Sequence, residues 1–237
     1  MTIQLHDYND GSTLLEAAVV RPGRLATAPA VLIAHQWAGR GEGEHQTAEL
    51  LAAHGYVGIA IDMFGKGVVG DPNGDNSALI GPWLADRVAL ARRMTAAVAF
   101  ARSLDGVDQL RIAAIGYCFG GLCVLDLART GTSDVVGVVS LHGLLESNGL
   151  DAAIAAKVLV EHGWRDPMAT PDKVLAFATE MAARDADWQL HAHGRAVHAF
   201  TNKHADAADK GMQYDANADR RSWRSTIDFL DEVLKAP

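Results

Sequence analysis

The chain has 237 residues, enough for one domain with a full hydrophobic core. Hydrophobic residues make up 49% and charged residues 21%, which excludes a disordered chain; the apolar runs are strand-sized, which argues against a membrane span. A formal net charge of −8, with no lysine–arginine stripe, argues against nucleic acid or anionic membranes as partners.

Residues 1–10 alternate in polarity and lack the basic start and apolar block of a signal peptide, so a cytoplasmic location is expected. Residues 13–20 and 30–34 read as strands, the second apolar enough to be buried on both faces. Residues 44–54 read as a helix stopped by Gly55, and 56–62 as another apolar strand. Residues 65–82 are dense in Gly, Pro, Asn and Asp and predict a long loop that could line or cover a site. A helix over 83–103, a strand over 110–116, a helix over 118–130 and a strand over 134–143 follow. The remaining elements are a strand at 157–163, a helix at 171–184, a strand at 186–194 and an amphipathic helix at 219–234. Alternating strands and helices with wholly apolar strands require a mostly parallel sheet covered by helices on both faces, in a single domain. In such sheets sites collect at the carboxyl ends of the strands.

The decisive stretch runs from Ile112 to Gly121: a strand, then Gly116-Tyr117-Cys118-Phe119-Gly120, then a helix. This is the nucleophile-elbow pattern of α/β-hydrolases with cysteine in place of serine. Glycines two before and two after the nucleophile remove side chains that would collide with neighbouring backbone. A thiol at a helix N-terminus also meets unpaired amides and the helix dipole, which favour the thiolate. The amide of Phe119 is then the expected first donor of an oxyanion hole. Cys123, just over one helical turn later, is expected in the core, and a disulfide between the two thiols is not expected.

In the chain order of this fold the acid and then the base follow the nucleophile. Among ten histidines, His198 stands out by lying in the loop after the last strand. Asp166 follows the 157–163 strand, whereas Asp172, Asp185 and Asp187 fall in or beside a helix. His35, His142 and His162 sit near strand ends and could line the same mouth. His191 and His193 face one way along a strand, but no third metal ligand is evident. Residues 39–43 hold closely spaced glycines, but Glu42 and Glu44 would repel a pyrophosphate.

Three segments together resemble the dienelactone hydrolase family: Gly116-Tyr117-Cys118-Phe119-Gly120-Gly121, His162-Gly163-Trp164-Arg165-Asp166-Pro167 and Val197-His198-Ala199-Phe200. The stretch from Gly55 to Gly65 and the segments around Gln213–Ala216 and Ala218–Trp223 add to the likeness, which spans nearly the whole chain. The resemblance implies a Cys118–His198–Asp166 triad that hydrolyses small-molecule esters or lactones without metal or cofactor. It places the second oxyanion donor at the amide of Trp37, and His35, Gln36 and Tyr117 around the site. Two departures are visible. Gln36 stands where the family usually has glutamate, so it can hydrogen-bond but cannot exchange a proton; the Cys118–His198 ion pair is therefore expected to be partly formed at rest. Asn202 stands where the dienelactone enzymes carry a carboxylate-clamping arginine, and Arg195 or Lys203 would have to substitute. Rival readings are a dehalogenase or thioesterase on the same fold, or a non-catalytic binding module.

Overall fold

The computed structural model describes residues 2–23 and 27–235. Strand β3 (Ala28–Ala34) illustrates how sequence becomes architecture. Ala30, Leu32 and Ala34 enter one apolar cluster, while Val31 and Ile33 enter the other. Side chains alternate across a strand, so a wholly apolar run belongs where both faces are covered.

Eight strands build the sheet: β1 (Gln4–Asp10), β2 (Thr13–Val20), β3, β4 (Val57–Ala60), β5 (Val107–Tyr117), β6 (Gly137–Leu141), β7 (Lys157–Gly163) and β8 (Trp188–His193). Their spatial order is β1-β2-β4-β3-β5-β6-β7-β8. The first two pair antiparallel and the other six run parallel. Helices α1 (Glu42–Ala53) and α6 (Ala216–Lys235) cover one face with Leu51, Phe229, Leu230 and Leu234. Helices α3 (Arg87–Ser103), α4 (Phe119–Arg129) and α5 (Pro171–Ala183) cover the other with Met94, Leu122, Phe177 and Met181.

Two elements depart from the sequence reading. β1 is a strand although its sequence is polar: all of it pairs with Thr13–Val19 of β2, and its buried Asp10 is neutralised by Arg93 at 2.8 Å. Residues 65–82 are not loop throughout, because a short helix, α2 (Ser77–Ala85), forms despite Pro82. The long helix expected from residue 83 therefore begins at Arg87, where Asp86 accepts the amide of Ala89 (2.9 Å) as an N-cap. A small ribbon, β9 (Asp206–Ala207) with β10 (Met212–Gln213), precedes α6.

Candidate active site

Cys118 sits where β5, flanked by β3 and β6, turns into α4. Its backbone has φ +55 and ψ −115, a strained conformation for a residue with a side chain. The turn is held by a bond from the Cys118 amide to the Leu141 carbonyl (3.0 Å). A Cβ on Gly116 would stand 2.0 Å from the Gly120 carbonyl oxygen, and one on Gly120 would stand 2.2 Å from the Ala34 carbonyl oxygen. Both positions require glycine, and the result is a thiol presented at the first turn of α4, partly open to solvent. Cys123 is buried and both thiols are free.

The structure brings His198 and Asp166 to this sulfur. His198 Nε2 lies 3.1 Å from Cys118 Sγ, and His198 Nδ1 lies 2.7 Å from Asp166 Oδ2. The other carboxylate oxygen accepts the Met168 amide at 2.7 Å. His198 is fixed through its backbone: its amide donates to Gly211 and its carbonyl accepts from Gln213, so it runs alongside β10. Gly211 is also where the two loops meet, since a Cβ there would lie 2.4 Å from the Pro167 ring. Burial alone would lower the His198 pKa, but the charge of the neighbouring sulfur and the bond to Asp166 outweigh it and raise the value to about 10. The imidazole is therefore held in its protonated form at neutral pH.

Residues 35–39 form a turn beyond β3. His35 is fully buried and so supports this turn rather than lining the mouth, a correction to the sequence expectation. Its Nδ1–H donates to the Gln36 carbonyl (2.6 Å), and its Nε2 accepts the Met63 amide (3.2 Å). Burial lowers its pKa to about 4, which keeps this bonding pattern neutral. Gly39, at φ +95, closes the turn with a bond to Gln36. Within the turn the amide of Trp37, like that of Phe119 at the start of α4, donates to no acceptor among the described residues. Residues 68–70 pack against this turn, with the Gly70 amide on the Ala38 carbonyl (2.7 Å). The closely spaced glycines at 39–43 hold no anion loop; the Glu44 carboxylate takes the Gly41 amide (2.8 Å) and caps α1.

A family model described as the dienelactone hydrolase family matches residues 15–234. The chain belongs to the dienelactone hydrolase family. It is thereby a hydrolase of the α/β-hydrolase fold. A solved dienelactone-hydrolase-like promiscuous phosphotriesterase from metagenomic libraries is 33% identical, with a TM-score of 0.92 over 98% of each chain. A probable 2-oxo-3-(5-oxofuran-2-ylidene)propanoate lactonase of Bradyrhizobium is 27% identical over 90% of this chain and 88% of its own length. An uncharacterised protein of Caenorhabditis elegans is 40% identical over 61% of this chain and 94% of its own.

Within the family frame, Gln36 is half-buried beside the turn that offers the Trp37 amide. Asn202 leaves no arginine at its position, and Lys203 is exposed. Arg195 is exposed. Tyr117 is half-buried, with its ring 6.0 Å from that of His142. His191 and His193 do find a third group, Glu161, at 2.9 and 2.7 Å. It is a hydrogen-bond acceptor on the neighbouring strand; among the described residues no group of three such side chains is arranged to hold a metal ion. Sequence reading missed Glu161 because its partners lie across a strand pair. It also missed Thr201, which shares a 2.7 Å hydrogen bond with His142. No described helix is long and apolar enough to cross a membrane.

Proposed function

We propose that this hydrolase cleaves ester or lactone bonds of small molecules with Cys118 as nucleophile, His198 as base and acid, and Asp166 as the group that orients His198. One observation carries the reading: a buried imidazole lies 3.1 Å from the sulfur and 2.7 Å from a buried carboxylate. The thiolate attacks the carbonyl carbon, forming a C–S bond, and the carbonyl electrons move to oxygen. Amides of Phe119 and Trp37 receive that oxyanion, each worth about 10²–10³ in rate. When the intermediate collapses, the C–O bond breaks and His198 gives its proton to the leaving alkoxide. Water, deprotonated by His198, then cleaves the thioester and restores the thiolate–imidazolium pair. Asp166 stays ionised and holds Nδ1–H throughout.

The test is a panel of activated esters and lactones, with p-nitrophenyl acetate as the reference. Wild type should release a burst of p-nitrophenol stoichiometric with enzyme, and Cys118→Ala should lose roughly 10³-fold or more in kcat/KM. Full activity in Cys118→Ala would end the proposal. A second reading is favoured by one finding, the likeness over 98% of the chain to a promiscuous phosphotriesterase. The same sulfur would then attack phosphorus. Including diethyl p-nitrophenyl phosphate in the panel separates the two bonds.

A further inference from the structure

The loop that carries His198 touches a residue with no part in the chemistry above. His142, the first residue after β6, has φ +40, a left-handed value uncommon for a residue with a side chain. Its ring is fully buried. It meets the His198 ring edge-on, with centroids 5.3 Å apart and planes at 71°, and the Phe200 ring at 5.2 Å and 77°. Its Nε2 shares a 2.7 Å hydrogen bond with Thr201 Oγ1. Its Nδ1, equally buried, has no partner among the described residues.

The backbone around His142 is bonded to β7 and abuts the first turn of α4. The His142 amide donates to the Glu161 carbonyl (2.8 Å). The next residue, Gly143, abuts the first turn of α4: a Cβ there would lie 2.8 Å from Gly121 Cα and 2.3 Å from Ser140 Oγ. One end of this short segment is thus pressed onto the turn that presents Cys118. Its ring grips residues 198–201, in which Ala199 holds a strained φ of +57. A ring that only filled space would be better as phenylalanine, because a buried nitrogen without a partner is destabilising.

We propose that His142 is a positioning residue, which through its bond to Thr201 and its edge contact with His198 ties the loop of the base to the helix turn of the nucleophile and so keeps Nε2 on the sulfur. The inference rests on the Cys118–His198 reading and adds a residue that acts on it. His142 performs this task neutral: burial holds its pKa well below 6.5, and the charge on His198 pushes the same way. The groups facing it are His198, Thr201, Phe200 and Tyr117.

The experiment compares His142→Phe, Thr201→Val and Thr201→Ser by NMR titration of the His198 ring protons, with kcat and KM on p-nitrophenyl acetate alongside. His142→Phe and Thr201→Val should move the His198 midpoint down by at least about half a unit, towards 6.5, and cut kcat about tenfold with little change in KM. Thr201→Ser, which keeps the hydroxyl, should behave as wild type. An unmoved His198 midpoint in folded Thr201→Val, or a Thr201→Ser variant as impaired as Thr201→Val, overturns the proposal. The titration needs no substrate, so its result stands apart from failure of the ester-hydrolase reading. If His142→Phe does not fold, the two Thr201 variants decide.

Discussion

Two imidazoles 5.3 Å apart are driven in opposite directions by their surroundings. Both are buried, and burial disfavours the charged form of each. His198 overcomes this through the sulfur and the Asp166 carboxylate and reaches about 10; His142 faces no carboxylate and falls. His35, under the residue 35–39 turn, falls to about 4 because its burial outweighs the opposing pull of the Gln36 carbonyl and the Asp62 carboxylate. These shifts have opposite consequences for stability. The folded-state pKa of His198 is raised, so its contribution is full below about 6.5 and is lost as pH rises through about 10. That of His35 is lowered, so its contribution is full above about 6.5 and is lost as pH falls towards about 4. Urea midpoints should therefore be highest between these limits and fall on both sides. Cys118→Ala removes the charge that raises His198 and should flatten the alkaline fall. An alkaline limb as steep in Cys118→Ala as in wild type would refute the link between sulfur and imidazole.

Among elements, β5 and α4 are defined by what their glycines allow. Gly120→Ala forces a methyl against the backbone of β3, so neither partner can yield without moving the sheet. Gly43, inside α1, has open space where its Cβ would be. Gly120→Ala should cost about 3 kcal/mol or prevent folding, while Gly43→Ala should stabilise by about 0.5–1 kcal/mol. Urea denaturation of both variants checks the pair, and equal effects would contradict the elbow geometry. The same contrast, between local constraint and distant partners, divides the elements legible in the amino-acid sequence from those that are not. β3 and the elbow announce themselves through local pattern: a wholly apolar run, and glycines two residues either side of Cys118. Cys118, Asp166 and His198 are legible because each follows a strand end in the order the fold demands. β1 is not legible, because its polar run is made a strand by pairing with β2, and its Asp10 is made buriable by Arg93, 83 residues away. α2 is hidden by Gly81 and Pro82, and Trp83 gains its hold from the Arg93 guanidinium 4.8 Å above its ring. The bonds from His142 to Thr201 and from Glu161 to His191 and His193 cross the sheet or its loops, where no spacing rule reaches.

Across the whole molecule, the helix that begins just after Cys118 ends in a buried charge network. Arg129, the last residue of α4, is fully buried. Its guanidinium donates to Glu180 of α5 (2.7 and 3.0 Å), to Asp126 (3.2 Å) and to the carbonyls of Leu145 and Glu146, both 2.9 Å. Arg87 of α3 grips Asp126 from the other side at 2.5 and 2.7 Å. One side chain thus joins α4, α5 and the segment after β6, all of which bear on the elbow. Removing it leaves the buried Asp126 and the largely buried Glu180 short of a partner, and losing one member of a buried ion pair costs roughly 3–5 kcal/mol. Arg129→Met, which replaces the apolar stem and removes the guanidinium, should lose about that much at pH 7. The loss should shrink in acid. Burial would raise the Glu180 pKa, but Arg129 and Arg184 hold it below the ordinary carboxylate value. Its contribution is therefore present above about 4.5 and disappears as pH falls through the lowered value, where protonated Glu180 no longer needs the guanidinium. Urea denaturation of wild type and Arg129→Met at pH 7 and pH 4 measures both effects. A stability gap that stays constant or widens at pH 4 would mean that the charge pairing of Arg129 with Glu180 is not what holds α4 to α5.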